Sequence, residues 1–228
     1  MTDSPIRPTC VGFIMDGNRR WALEQNAETI FGHEAGEKKF YEVAQWIKEA
    51  HIPHAVFYAF SSENWKRSLL EVTYLQELFL RFTKRMLAEV HQWQVRVNVF
   101  GDLSLFSDEL RQAVGELMQE SARYETTTIW VALSYGGRAE IVAAVNKAIV
   151  VGRPVDDVTF ARHLATAGMP DPDLIIRTGG DVRLSNFLPW QSVYSELMFT
   201  PTYWPAFTKD EFMSMLTQYG DRKRRFGR

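Results

Sequence analysis

Residues 11–21 read V-G-F-I-M-D-G-N-R-R-W: a short apolar run, Val11 to Met15, gives way at once to a carboxylate, a glycine, an amide and two guanidiniums. A run of that length bounded by turn residues predicts a buried β-strand, and the polar cluster marks its carboxyl end. The same switch recurs. Ala55 to Phe60 is followed by S-S-E-N-W-K-R-S, Thr128 to Leu133 by S-Y-G-G-R, and Leu174 to Ile176 by R-T-G-G-D-V-R-L-S-N-F. Val95 to Phe100 and Leu197 to Thr200 are further strand candidates, and helices are expected near 33–51, 70–92, 107–124, 138–150, 158–167 and 209–223.

This alternation predicts an α/β fold with a mostly parallel central sheet flanked by helices. Ligands of such sheets gather beyond the carboxyl ends of the strands. Four polar loops at that edge, all with arginine and three with glycine, would form one basic, hydrogen-bonding rim. Between Val72 and Val90, the residues Val72, Leu75, Leu78, Phe79, Phe82, Met86, Leu87 and Val90 recur at steps of three and four. That is a wide apolar helix face. It can pack on the sheet, or part of it can line a hydrophobic tunnel. No repeat or linker divides the chain, so residues 1–228 read as a single domain, with Gly168 to Pro172 only a turn before the next strand.

With 26 lysines and arginines against 28 acidic residues, no global field draws the chain to nucleic acid. Any anion must be met locally. The lone Cys10 cannot form an internal disulfide and fits a reducing, cytoplasmic compartment. Met1 to Thr9 lacks the apolar stretch of an export signal. No apolar run approaches the about 20 residues that cross a bilayer.

Asp16, Gly17, Asn18, Arg19 and Arg20 together offer what a magnesium-bound diphosphate needs: a hard oxygen, close backbone approach and guanidinium forks. A D-G turn with solvated arginines would carry the same letters. His33, in G-H-E-A-G, is expected to open a helix whose amino-terminal amides favour an anion. After the second strand, Ser61, Ser62, Glu63 and Asn64 supply polar groups, Trp65 a flat apolar wall and Arg67 another phosphate partner, although helix capping explains the serines equally well. Arg177, Arg183 and Ser185 surround the double glycine Gly179-Gly180, a pattern that fits a phosphate nest. Glu196, just before the last strand, is either a second metal ligand or a solvated glutamate.

Read together, F-I-M-D-G-N-R-R-W-A, G-H-E-A-G, Y-A-F-S-S-E-N-W-K-R, Y-G-G-R, D-L-I-I-R-T-G-G-D-V-R-L-S-N-F-L-P-W-Q and the terminal R-R-F-G resemble, in order and over nearly the whole chain, the cis-prenyltransferase family typified by bacterial undecaprenyl diphosphate synthase. The resemblance implies a Mg2+-dependent condensation of isopentenyl diphosphate with an allylic prenyl diphosphate, such as geranyl or farnesyl diphosphate, giving a cis double bond. It further implies a homodimer that binds no nucleic acid and touches membrane at most peripherally, through its lipid product. Asp16 would bind the metal. Gly17, Asn18, Arg19, Arg20 and His33 would cradle the allylic diphosphate, with Trp21 nearby. Ser61, Ser62, Glu63 and Asn64 would border the reacting carbons, Asn64 as proton acceptor, flanked by Trp65 and Arg67. Arg177, Arg183, Leu184 and Ser185 would hold isopentenyl diphosphate. Glu196 would ligate magnesium across a dimer interface, and Arg225 and Gly227 would reach a partner's site.

Thr29 stands where many relatives carry arginine, Asp181 replaces a common glutamate and Pro189 a common leucine. Tyr74, Phe79 and Phe82 on or beside the tunnel helix are consistent with a shorter product. An aspartate-nucleophile phosphohydrolase would want a second aspartate at Asn18, and the all-helical trans-prenyltransferases use D-D-x-x-D motifs that this chain lacks. A non-catalytic scaffold subunit of the same fold would be expected to lose Asp16 or the arginines, which are present.

Overall fold

The computed structural model describes residues 7–222. The six apolar runs become β1 (Cys10–Ile14), β2 (His54–Ser61), β3 (Arg96–Phe100), β4 (Thr128–Tyr135), β5 (Leu174–Arg177) and β6 (Glu196–Phe199). They form one sheet of order β3-β4-β2-β1-β5-β6, and every pairing is parallel. The helices are α1 (Asn18–Glu24), α2 (Thr29–Glu49), α3 (Leu69–Trp93), α4 (Asp108–Ser121), α5 (Gly137–Val151), α6 (Asp157–Ala161) and α7 (Lys209–Asp221). All residues of β1 and β4 are buried, because a parallel sheet is covered on both faces.

Period-two alternation then divides the core. Val11, Phe13 and Phe57 join Phe40, Ile47, Trp204 and Phe212 on one face, while Cys10, Ile14, Val56 and Trp130 meet Phe187 on the other. Phe57 is the hub of the first face, 5.0 Å from Phe13 and 4.4 Å from Phe40 between ring centroids. The register of β2 on β4 shifts between Tyr58 and Ser61, a bulge that turns Phe60 toward Leu75 and Leu78 of α3. Cys10 is fully buried, and burial pushes its thiol pKa up, so it behaves as a small core residue. On the second face the buried Glu140 carboxylate accepts from Tyr135 at 2.7 Å, the Thr166 hydroxyl at 2.9 Å and Gln191 at 3.1 Å, which ties α5 to the segments around β5.

Three helical expectations need correction. Asn18 to Trp21, expected in the polar loop after the first strand, instead open α1, whose start depends on Gly17 at φ 104°. A Cβ there would also lie 2.6 Å from the Tyr203 ring. α2 starts at Thr29 rather than His33, and α6 stops at Ala161, well before Ala167, in a run of turns. Among the described residues no helix is long and apolar enough to cross a membrane.

α1 and α2 meet at Gly32, where an added Cβ would stand 2.0 Å from the Asn18 carbonyl oxygen. That neighbour is backbone and cannot rotate away. Gly32→Ala should cost about 1–3 kcal/mol through overpacking and lower the Tm by roughly 2–4 °C per kcal/mol. Gly115 in α4 has open space around it, so Gly115→Ala should raise the Tm by helix propensity, and thermal unfolding of the pair checks both signs.

Candidate active site

The order of connection reverses at β1: β2 lies on one side of it and β5 on the other. Such a switch point opens a crevice at the carboxyl ends of the strands. Ile14 pairs with Arg177 across it, so Asp16, just past the end of β1, faces Arg177 at the end of β5. Arg177 Nη2 donates to Asp16 Oδ2 at 2.8 Å, Arg20 Nη2 to Oδ1 at 3.1 Å and the Gly17 amide to Oδ1 at 2.7 Å. Burial acts to raise the Asp16 pKa, but the Arg177 hydrogen bond and charge, then Arg20 and Gly17, outweigh it and hold the carboxyl below 3.8.

Arg177 is only 3% exposed. Its Nη1 donates to Ser185 Oγ at 2.8 Å and to the Arg183 carbonyl, while its buried Nε has no partner among the described residues. Asp181 completes the cluster, with Oδ2 2.5 Å from Arg183, 3.5 Å from Arg177 and 4.0 Å from Arg20. Leu184 packs against the core beside Ile14 and Phe187. The phosphate-nest expectation fails for the double glycine: the Gly179 and Gly180 amides are spent on the carbonyls of Thr202 and Thr200, at 2.8 and 2.9 Å. Gly179 serves close packing instead, since a Cβ would lie 2.9 Å from Arg20 Nη2.

A second basic cluster stands where α1, α2 and α3 meet. Glu71 Oε1 is 3.0 Å from Arg67 Nη1, 3.3 Å from His33 Nε2 and 3.8 Å from Arg19 Nε. His33 therefore does not open α2; it lies a turn inside it and works through its ring. Burial and then the Arg67 charge depress its pKa against the opposing pull of Glu71, which favours a neutral ring at pH 7. Glu71 escaped the sequence reading because S-x-x-E at 68–71 reads as a helix cap, which it also is: Ser68 Oγ accepts from the Glu71 amide at 3.3 Å. Trp21 sits half-buried on α1.

Ser62–Lys66 follows β2 as a short 3-10 helix with Ser61 as its cap, and the Ser61 amide donates to Asn64 Oδ1 at 3.0 Å. Ser62 and Asn186 hold the Glu63 carboxylate at 3.2 and 2.9 Å. Trp65 packs 5.1 Å from Phe60 and 5.0 Å from Phe106 and donates to Ser134 Oγ at 2.9 Å, so it braces the segment from the core.

From Met15, Asn18 and His33 a narrow apolar cavity of about 90 Å³ runs down between α2, α3 and the sheet. Leu75, Leu78, Phe79, Phe82 and Met86 form its α3 wall, the face that periodicity marked out, and Val114 and Leu117 lie on α4 at its depth. Tyr74 turns to Glu34 instead, at 2.6 Å. Glu196 is not brought to Asp16. It pairs with Leu174 at the amino end of the sheet and is held by Arg222, so within one chain roughly 15 Å of strand separates it from Asp16. Arg225 and Gly227 lie outside the described residues. Among those residues, no three His, Cys, Asp or Glu side chains stand together as a ready-made metal cage.

A basic rim at the switch point of a parallel sheet, beside an oily cavity, fits a ligand with a charged head and an apolar tail. The family model described as putative undecaprenyl diphosphate synthase matches residues 14–227. An isoprenyl transferase of Wolinella succinogenes is 43% identical over 95% of this chain and 95% of its own length. The tritrans,polycis-undecaprenyl-diphosphate synthase (geranylgeranyl-diphosphate specific) of Pyrococcus horikoshii is 42% identical over 99% of this chain and 89% of its own. Among solved structures, lavandulyl diphosphate synthase from Lavandula x intermedia, in complex with dimethylallyl diphosphate, superposes with a TM-score of 0.93 at 31% identity, covering 97% of this chain and 99% of that one. The chain belongs to the undecaprenyl diphosphate synthase family and is a prenyltransferase.

The Asp16 ion pairs set a pH signature. Because the folded pKa lies below the unfolded value of 3.8, the stabilisation is fully present above 3.8 and is lost as pH falls through the folded value. Denaturant unfolding should show Asp16→Asn less stable than the parent by about 2 kcal/mol near neutrality, with the gap closing below pH 3.8. A gap independent of pH would refute the assignment.

Proposed function

We propose that the protein condenses isopentenyl diphosphate with an allylic prenyl diphosphate to give a Z-configured polyprenyl diphosphate and free diphosphate. The observation that carries this reading is the mouth of the apolar cavity, at Met15, Asn18 and His33, beside Asp16 and its guanidiniums. Head and tail of an allylic diphosphate find their solvents there within one side chain of each other.

In this reading Arg19, Arg20, His33 and Arg67 hold the allylic diphosphate, with Gly17 and Asn18 at its backbone approach, and the tail enters the cavity. Arg177, Arg183 and Ser185 hold isopentenyl diphosphate; the Nε of Arg177 supports this, being a buried donor that lacks an acceptor among the described residues. The allylic C–O bond breaks with its electron pair leaving on diphosphate, the isopentenyl double bond forms the new C–C bond, and loss of one proton restores a double bond. Asn64 stands on the segment that borders those carbons. Its carbonyl is engaged by Ser61, so proton acceptance there requires that hydrogen bond to yield.

The donor set fits Mg2+: Asp16 offers a hard carboxylate oxygen, and among the described residues no ready-made protein cage competes for the ion. Held by Asp16, the ion would supply charge neutralisation of the leaving group. Glu196 can join it only from a second copy of the chain, which makes a homodimer part of the proposal.

Purified protein incubated with labelled isopentenyl diphosphate, Mg2+ and geranyl, farnesyl or geranylgeranyl diphosphate should yield extended products, whose length names the chain-length class. Asp16→Ala should lower kcat by at least about a thousandfold while the protein stays folded. No incorporation with any starter would favour a scaffold subunit.

If Glu196 acts across the interface, inactive Asp16→Ala and Glu196→Ala proteins should, once mixed and allowed to exchange subunits, regain part of the wild-type rate. Absence of complementation in verified heterodimers would remove Glu196 from the site.

A further inference from the structure

The loop that carries Ser185 is bent through a conformation most residues avoid. Ser185, Asn186 and Leu188 have φ of 50°, 68° and 51°. Positive φ is sparsely populated for residues with a Cβ, so such a cluster persists only where the surroundings impose it. Phe187 and Leu188 are fully buried, and Phe187 stacks 4.8 Å from Tyr58 and packs where a Cβ on Gly12 would lie, at 3.2 Å. These contacts pin one side of the loop to the sheet.

Asn186 pins the other. Its carbonyl accepts from the Gly137 amide at 2.9 Å, its Oδ1 accepts from the Arg138 amide at 2.9 Å and its Nδ2 donates to Glu63 Oε1 at 2.9 Å. Three strand-end segments thus meet on one residue: Ser62–Lys66 after β2, the glycine turn into α5 and the arginine–serine loop after β5. The Y-G-G-R glycines are needed for it. A Cβ on Gly136 would lie 2.8 Å from Asn186 Nδ2 and 2.4 Å from Ser62 Oγ. Burial alone would raise the Glu63 pKa, but hydrogen bonds, the one from Asn186 among them, outweigh it and hold the carboxyl low.

We propose that Asn186 is a positioning residue, tying the segment that carries Asn64 to the loop that carries Arg183 and Ser185 so that both substrates keep a fixed separation. The inference rests on the assignment of Arg177, Arg183 and Ser185 to isopentenyl diphosphate. Asn186 touches no reacting atom. Its amide is required because the two partners ask opposite things of it: the Arg138 amide needs an acceptor and the Glu63 carboxylate needs a donor. Aspartate meets the first demand and sets two carboxylates against each other at the second.

Steady-state kinetics with isopentenyl and farnesyl diphosphates test the tie. Asn186→Ala and Asn186→Gly should both lower kcat about a hundredfold, the loss that an ångström-scale misplacement of reactants produces, and raise the KM for isopentenyl diphosphate about tenfold with that for farnesyl diphosphate unchanged. Glycine tolerates positive φ, so equal losses show that the side chain matters rather than the backbone. Asn186→Asp should be equally poor. Combined with Glu63→Gln, however, the donor and acceptor are exchanged, and the double variant should return to within about threefold of Glu63→Gln alone, a non-additivity that a general folding defect would not produce.

Wild-type kinetics in Asn186→Ala, or purely additive losses in the double variant, would overturn the tie. Arg177→Ala assayed alongside separates the two ideas: an unchanged isopentenyl KM there would defeat the substrate assignment, while the exchange of residues 63 and 186 would still decide the tie.

Discussion

Everything at the rim depends on the parallel pairing of β1 with β5. That pairing sets Ile14 beside Arg177 and so delivers the Asp16 carboxylate to a buried guanidinium at 2.8 Å. A one-residue slip of β5 would turn Arg177 to the other face of the sheet and send Leu174 and Ile176 out of the core around Phe57. Register is therefore fixed by hydrophobic burial, and the polar geometry inherits it. The same constraint explains the glycines at closest approach. Gly12 yields to Phe187, Gly17 to Tyr203 and Gly179 to Arg20, each where a strand-end segment must come nearer than a Cβ allows.

The rim carries its own anions. Asp16 and Asp181 hold Arg20, Arg177 and Arg183, and Glu71 holds Arg19, Arg67 and His33. Buried guanidiniums without a counter-charge are strongly unfavourable, so these carboxylates let the basic clusters persist in a folded, unliganded protein. An arriving diphosphate meets a buried Arg177 and a half-buried Arg67 already oriented by carboxylates, and exchanges one anion for another there. The two clusters differ in what they leave open. The Arg177 cluster keeps a buried donor unpartnered, whereas the Glu71 cluster keeps a neutral imidazole against the cavity mouth.

Much of this was legible in the sequence. Uniformly apolar runs such as Val11 to Met15 betray strands buried on both faces, and the three-and-four spacing of Leu75, Leu78, Phe79, Phe82 and Met86 gave the cavity wall. Both are properties of burial, which hydrophobic pattern records directly. Glu71, Asp181 and Asn186 were not read as parts of the site. Their importance lies in which guanidinium or amide they meet from another segment, and no local spacing encodes that. The first turn of α1 was hidden because Asp16-Gly17 reads as a loop until one sees that a positive-φ glycine can be a helix's entry. Glu196 misled for the opposite reason. Its position at the start of a strand was clear, but strands have two ends, and in a parallel sheet the first residue of β6 lies at the edge away from the residue after β1.

That geometry bears on how the proposed condensation would repeat. Each round leaves the lengthened chain with the diphosphate that arrived on isopentenyl diphosphate, so the head must cross from the Arg177 and Ser185 side of Asp16 to the Arg20 and Arg67 side before the next. Asp16 borders both groups, directly through Arg177 and Arg20, and the crossing is short. The tail meanwhile has one direction in which to gain apolar contact, down the wall from Leu75 to Met86. Rim and cavity then act together: the strand-end loops hold the separation of the heads constant, and the packed aromatic and aliphatic wall sets how far the tail advances before further growth must displace core side chains.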